Sequence, residues 1–351
     1  MRTLIDRALI ILLLLAVASL GWSQVDSNQR PPLPPGGLPQ LILQQAGDAP
    51  LAKKAALRWG MIEQWATMAD LDGTGPFSAT YAAAPDGLPW VVYAPKDLAA
   101  AASKRKLGVY IWGNGGCSGD SVREARFHLT EIATYGYVAI APGRLLSGPK
   151  APKISADERE KAATAPENRA TAEKMIAALD WILAENNRKG GPYFGAIDPA
   201  RVAVAGNSCG GLIAIKASLD PRFKTLIMAN SGVFNGPPPG GRAATLPSFT
   251  KDDLSKLHTP VLYIVGGPED IAEPNALDDF KRIQQPVFVA DQPGAGHIGL
   301  FMEPRGEDTK IELDWLKWQF DGDRIAAHTF AGPDCTLCTD FRWVVYRKRI
   351  D

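Results

Sequence analysis

The 351-residue chain lacks an excess of either charge: Lys and Arg number 38, and so do Asp and Glu. Proteins that attract nucleic acid or an acidic surface by charge carry a basic surplus, so neither partner is expected. Long apolar runs are scarce too. The run at residues 8–18 follows Arg2 and Arg7, and it is short of the roughly 20 residues a spanning helix needs. Small residues come next at Ala16, Ala18, Gly21 and Ser23, the arrangement of a secretory signal with its cleavage region. Residues 1–23 are therefore expected to be a signal peptide of a secreted or periplasmic protein with no lasting membrane attachment. No Cys follows the run, so a lipoprotein anchor is not indicated.

Cysteine is sparse as well, with four residues: Cys117, Cys209, Cys335 and Cys338. An even set in an exported chain is expected to pair, because oxidising compartments favour disulfides. The C-x-x-C of Cys335 and Cys338 lacks a second Cys or His pair nearby, so it supplies half of a structural zinc site and no metal is expected. What is abundant is core material. The chain is 46% hydrophobic and 22% charged, enough to bury one sizeable core.

Residues 24–50 are rich in Pro, Gln and Gly (RPPLPPGGLPQ) and read as a linker. Residues 51–351 then form one domain ending in a C-terminal tail. Apolar residues at helical spacing (Leu57, Met61, Ile62, Trp65, Met68) predict an amphipathic helix over 51–71. Two strand-like runs at 77–81 and 90–93 flank Pro85, Asp86 and Gly87, the composition of a hairpin turn. Beyond them, short apolar runs alternate with helical segments. The runs are LGVYIW, YVAIA, RVAVAG, TLIMAN, VLYIVG and VFVA; the helices fall over 121–135, 167–187, after Ser208, over 275–283 and over 310–320. Such alternation predicts an α/β protein with a mostly parallel central sheet covered by helices on both faces. Residues 143–166 and 232–256 break the alternation and are read as loops at the substrate end of the sheet.

The strongest chemical signal is Gly206-Asn207-Ser208-Cys209-Gly210, a G-x-S-x-G between the strand RVAVA and the apolar run GLIAIKA. A strand that turns sharply into a helix leaves no room for side chains at the glycines and exposes the serine hydroxyl above the sheet. Ser208 is thus the expected nucleophile, aided by the helix N-terminus. Among four histidines, His297 alone stands in a loop of small residues after the last strand of the alternation, so it is the expected base. The acid should follow the preceding strand and accept the second imidazole N–H. Asp270 occupies that loop, with Glu269 and Asp291 as rivals. Two N–H donors are needed for an oxyanion. The backbone amide of Cys209 is one; the second should come from the loop Gly113-Asn114-Gly115-Gly116-Cys117, where Gly116 is the choice.

The elements strand–GNGGC, strand–GNSCGG, GGPEDIAEP and GAGH, in the order Ser, Asp, His, resemble the α/β-hydrolase superfamily over residues 75–320. The resemblance is nearest to the dienelactone-hydrolase-like and esterase or lipase branches. The elbow centre is Ser208 where dienelactone hydrolases have Cys, and the HGGG form of the oxyanion loop is absent. The resemblance implies the α/β-hydrolase fold and hydrolysis of a small or polymeric carboxylic ester through an acyl-enzyme, with no cofactor. A serine peptidase or amidase on the same fold, or a non-catalytic secreted binding protein, are the other readings. The fold also places the oxyanion loop beside the elbow, so a Cys117–Cys209 disulfide is expected, leaving Cys335 with Cys338.

Overall fold

A computed structural model of the protein describes residues 67–237, 249–297 and 305–351. The expected signal peptide, the linker and most of the helix expected over 51–71 lie outside the described residues.

The fold begins with the antiparallel hairpin β1 (Ala79–Ala83) and β2 (Trp90–Pro95). Its turn at Pro85–Gly87 places Asp86 in the left-handed region at φ 59°. The remaining strands are β3 (Leu107–Gly113), β4 (Tyr137–Pro142), β5 (Ile197–Asn207), β6 (Thr225–Ala229), β7 (Val261–Val265), β8 (Val287–Asp291) and β9 (Val344–Lys348). They form one nine-stranded sheet in the order β1-β2-β4-β3-β5-β6-β7-β8-β9. From β4 through β8 all neighbours are parallel; β2 against β4 and β8 against β9 are antiparallel.

The apolar runs read as continuous because both faces are buried. Val109 and Ile111 of β3 enter one core with Met175, Leu179, Ile182 and Ile213. Tyr110 and Trp112 enter the other with Leu129, Ile132, Trp315 and Leu316. The covering helices are α1 (Leu98–Lys104), α2 (Arg126–Thr134), α3 (Ala156–Thr164), α4 (Ala172–Asn187), α5 (Cys209–Ala217), α6 (Glu273–Arg282) and α7 (Glu307–Asp321), followed by the short α8 (Arg324–Ala327) and α9 (Thr336–Thr339).

Several bounds differ from the expectation. Helix α2 starts at Arg126 rather than near 121, because Asp120 Oδ1 accepts the Val122 amide and Ser121 Oγ donates to the Pro142 carbonyl, tying 120–122 into a turn. Helix α4 starts at Ala172 rather than near 167, where the Thr171 hydroxyl caps the Lys174 amide. The stretch 143–166, read as a loop, contains α3, which opens with a capping box of Ser155 and Glu158. Part of 232–256 is a 3-10 turn at Lys251–Lys256. The C-terminal tail is also more than a tail: its residues 344–348 pair with β8 as an edge strand, carrying Arg347 and Lys348.

Between β3 and β5 the chain order along the sheet reverses, since β4 lies to one side of β3 and β5 to the other. In open α/β sheets the crevice beyond the carboxyl ends of strands at such a switch point binds ligands. Both the GNGGC loop and the GNSCG turn leave the sheet there.

Candidate active site

Strand β5 ends at Asn207 and α5 begins at Cys209, leaving Ser208 alone to make the turn with φ 52° and ψ −120°. A non-glycine residue in this region is strained and is held only by its surroundings. Here the surroundings are backbone. A Cβ on Gly206 would lie 2.3 Å from the Gly210 carbonyl oxygen, and one on Gly210 would lie 1.9 Å from that of Gly113. The glycines therefore let β5, α5 and the end of β3 touch, and the serine is lifted where they meet.

The expected residues converge. Ser208 Oγ lies 2.9 Å from His297 Nε2, and His297 Nδ1 lies 2.6 Å from Asp270 Oδ1. His297 and Asp270 are both buried. The Asp270 carboxylate is held on both oxygens: Oδ1 also accepts the Ala272 amide, and Oδ2 accepts the Gly266 amide and the Asn230 Nδ2. Burial alone would raise this carboxyl, but the neighbouring His297 and these donors outweigh it and hold Asp270 below the usual carboxylate range.

The rival acids have other partners. Asp291 Oδ1 accepts the Gly267 amide at 2.7 Å, and burial pushes its carboxyl up to about 6. Glu269 Oε2 accepts the Gly294 amide at 3.1 Å near the surface. Both brace the loops that carry Asp270 and His297. His128 is buried among Tyr110, Thr309 and Glu312, His258 precedes β7, and His328 ends α8 near Asp334.

The amide of Cys209 is the first of α5, where helical N–H groups have no intrahelical acceptor. In the GNGGC loop, the Cys117 amide donates to the Asn114 carbonyl and the Ser118 amide to the Gly115 carbonyl. Because a peptide's C=O and N–H point opposite ways, the Gly116 N–H faces away from Ser118. No described residue accepts it. Gly116 adopts φ 61° with open space beside it, and its carbonyl accepts from Arg169 Nη2 at 3.2 Å.

A disulfide joins Cys117 to Cys209 with Cα atoms 5.2 Å apart, so the two amide-bearing segments are bonded to each other. A second joins Cys335 to Cys338 across α9. Among the described residues no group of three or more His, Cys, Asp or Glu could hold a metal ion, and no helix is long and apolar enough to cross a membrane.

Sequence reasoning missed Asn230, which ends TLIMAN at φ 44° and spans Asp270 Oδ2 and the Gly296 carbonyl. Its signal was a polar residue closing an otherwise apolar strand at the same sheet end as Ser208. Ser231, whose hydroxyl donates to the Ser208 carbonyl at 2.7 Å, and Asn114, whose Nδ2 donates to the Ser118 and Pro142 carbonyls, were missed for want of any local pattern.

No family model matches the chain. Two curated proteins of Mycobacterium tuberculosis are similar to it: the uncharacterized protein Rv2307c of strain H37Rv and the uncharacterized protein MT2364 of strain CDC 1551, each 26% identical over 162 residues. The match covers 43% of this chain and 53% of each relative, so the chain spans about half the length of the curated relatives it matches.

Proposed function

We propose that this protein is an exported serine hydrolase of the α/β-hydrolase fold that cleaves carboxylic esters. The observation that carries the reading is the unbroken line from Ser208 Oγ through both imidazole nitrogens of His297 to Asp270, set on a strand-to-helix turn. The order of its members along the chain, the antiparallel hairpin before a parallel sheet, and the position at the switch point all support it.

In the proposed reaction Ser208 Oγ attacks the ester carbonyl while His297 Nε2 takes the hydroxyl proton. Asp270 accepts the Nδ1–H, fixes the tautomer and stabilises the imidazolium. Negative charge on the carbonyl oxygen is met by the amides of Cys209 and Gly116, which are oriented before substrate arrives. His297 then returns the proton to the departing alcohol. A water molecule repeats the sequence on the acyl-enzyme, releasing the acid and restoring Ser208. Each of these steps draws on groups of the chain itself. The N-terminal signal pattern and the two disulfides support export.

The test is labelling with a fluorophosphonate, which requires an activated serine. The wild-type protein should be labelled and Ser208→Ala should not. A panel of 4-nitrophenyl esters of graded chain length, run beside aminoacyl nitroanilides, should show turnover of the esters first. An unlabelled, folded wild type would end the reading.

A further inference from the structure

Glu124 precedes α2 and is partly buried. Its Oε2 lies 2.7 Å from the point where a Cβ on Gly115 would stand, and Asn207 Oδ1 lies 2.8 Å from the same point. The carboxyl thus fills the place of a side chain at position 115, next to Gly116 and opposite the residue that precedes Ser208. No hydrogen-bond donor among the described residues reaches it. The charged and titratable groups around it are Arg123, Asp120, Glu160 of α3 and His297. Arg123 is shared with Glu160, 3.4 Å away.

An ionised carboxylate in this position opposes the negative charge that the proposed reaction develops on the carbonyl oxygen, unless it takes up a proton or a positive charge joins it. Neither Arg123, already drawn to Glu160, nor any other described cation closes on the carboxyl. A substrate that carries a cation would supply it. We infer that Glu124 is the specificity-determining residue of this site and receives a protonated or quaternary amine that the substrate carries near its scissile carbonyl. The inference rests on the hydrolase reading and names the substrate class for it. Burial, aided by Asp120 and Glu160 against Arg123 and His297, pushes the Glu124 carboxyl up to about 7. Its charge is therefore present above neutrality and absent below. The preference for a cation should follow the same course.

The experiment uses the full mature protein and two matched pairs whose charge does not titrate in the working range. One pair is the 4-nitrophenyl esters of 6-aminohexanoate and heptanoate, with the charge on the acyl part. The other is acetylthiocholine and the thioacetate of 3,3-dimethylbutanethiol, with the charge on the leaving group. In at least one pair, kcat/KM for the cationic member should exceed that of the neutral one about tenfold or more at pH 8.5, the gain of one charge-assisted contact. The ratio should fall toward one by pH 5.5. In Glu124→Gln it should be near one throughout, each variant's own neutral-ester rate serving as reference. The wild-type pH course carries the test even if the variant does not fold. Fluorophosphonate labelling and turnover of the neutral members establish the hydrolase reading separately. With those present, a ratio near one in both pairs at every pH, or a ratio unchanged in Glu124→Gln, overturns the assignment of Glu124 alone. With labelling and turnover both absent, the assignment falls together with the hydrolase reading.

Discussion

Asn230 donates its Nδ2 to Asp270 Oδ2 over 2.8 Å, so the oxygen that does not face His297 is occupied from the neighbouring strand. The carboxylate cannot rotate away from the imidazole without giving up that bond and the Gly266 amide. Asp270→Asn should therefore keep the fold and lower kcat by about 10³–10⁴, because the amide favours the wrong tautomer of His297. Glu269→Gln, which alters only the brace on Gly294, should retain kcat near wild type. Asn230→Ala should fall between them. Steady-state kinetics on purified, folded variants check the order, and equal kcat for Asp270→Asn and wild type would move the acid role to another residue.

Ser208→Ala and His297→Ala should each reduce kcat by about 10⁴ or more, and the double variant little further, since members of such a unit are not additive. Circular dichroism should show all three folded. A folded Ser208→Ala protein with wild-type turnover would refute the hydrolase reading.

The bond between Cys117 and Cys209 holds one proposed oxyanion donor against the other. Mild reduction, or Cys117→Ser, should lower kcat more than it raises KM, because the loss falls on charge that exists only in the transition state. Peptide mapping of unreduced protein should recover both residues in one linked peptide. Free, alkylated thiols at both positions would remove the premise.

On the opposite side of the sheet from α5, Tyr110, His128 and Glu312 form a buried polar cluster. Burial pushes Glu312 up to about 8 and His128 down to about 3, so both are neutral at neutral pH in the folded protein. For Glu312 the folded state holds its proton more tightly than the unfolded chain does. Its effect on stability therefore worsens as pH rises from the ordinary glutamate value of about 4.5 to about 8. Glu312→Gln, which cannot ionise, should melt a few degrees above wild type at pH 8 and show a smaller difference or none at pH 5. For His128 the direction is reversed. The unfolded chain gains a proton as pH falls below about 6.5 and the folded protein does not, so stability drops toward pH 3. Thermal melts across pH check both signs; a Gln variant whose advantage grows toward low pH would contradict the first.

What could be read from the chain was what short-range geometry specifies. The turn around Ser208 was legible because three backbone segments must touch there, and only glycine permits contacts of the kind seen at Gly210. The parallel strands were legible because both of their faces are buried, which writes them as unbroken apolar runs. Strand β9 was not, since an edge strand is half solvated and its VVYRK carries no strong pattern. Helix α3 leaves no apolar stripe in the sequence, because its surface is polar and a capping box starts it. Asn230, Ser231 and Glu124 escaped for a different reason. Each acts on a residue more than five positions away in sequence, through contacts created only when the sheet is assembled.

The Cys117–Cys209 bond also spans 92 positions of sequence, and that span encloses α2, β4, α3, α4 and β5. Its consequence reaches beyond the folded site, into the unfolded chain. Closing a loop of that size removes conformational entropy from the denatured ensemble, in the chain-entropy model about 4–5 kcal/mol at 25 °C. An oxidised chain that unfolds still keeps the oxyanion loop and the elbow tethered, so a contact that bridges 92 positions of sequence never has to be found again on refolding.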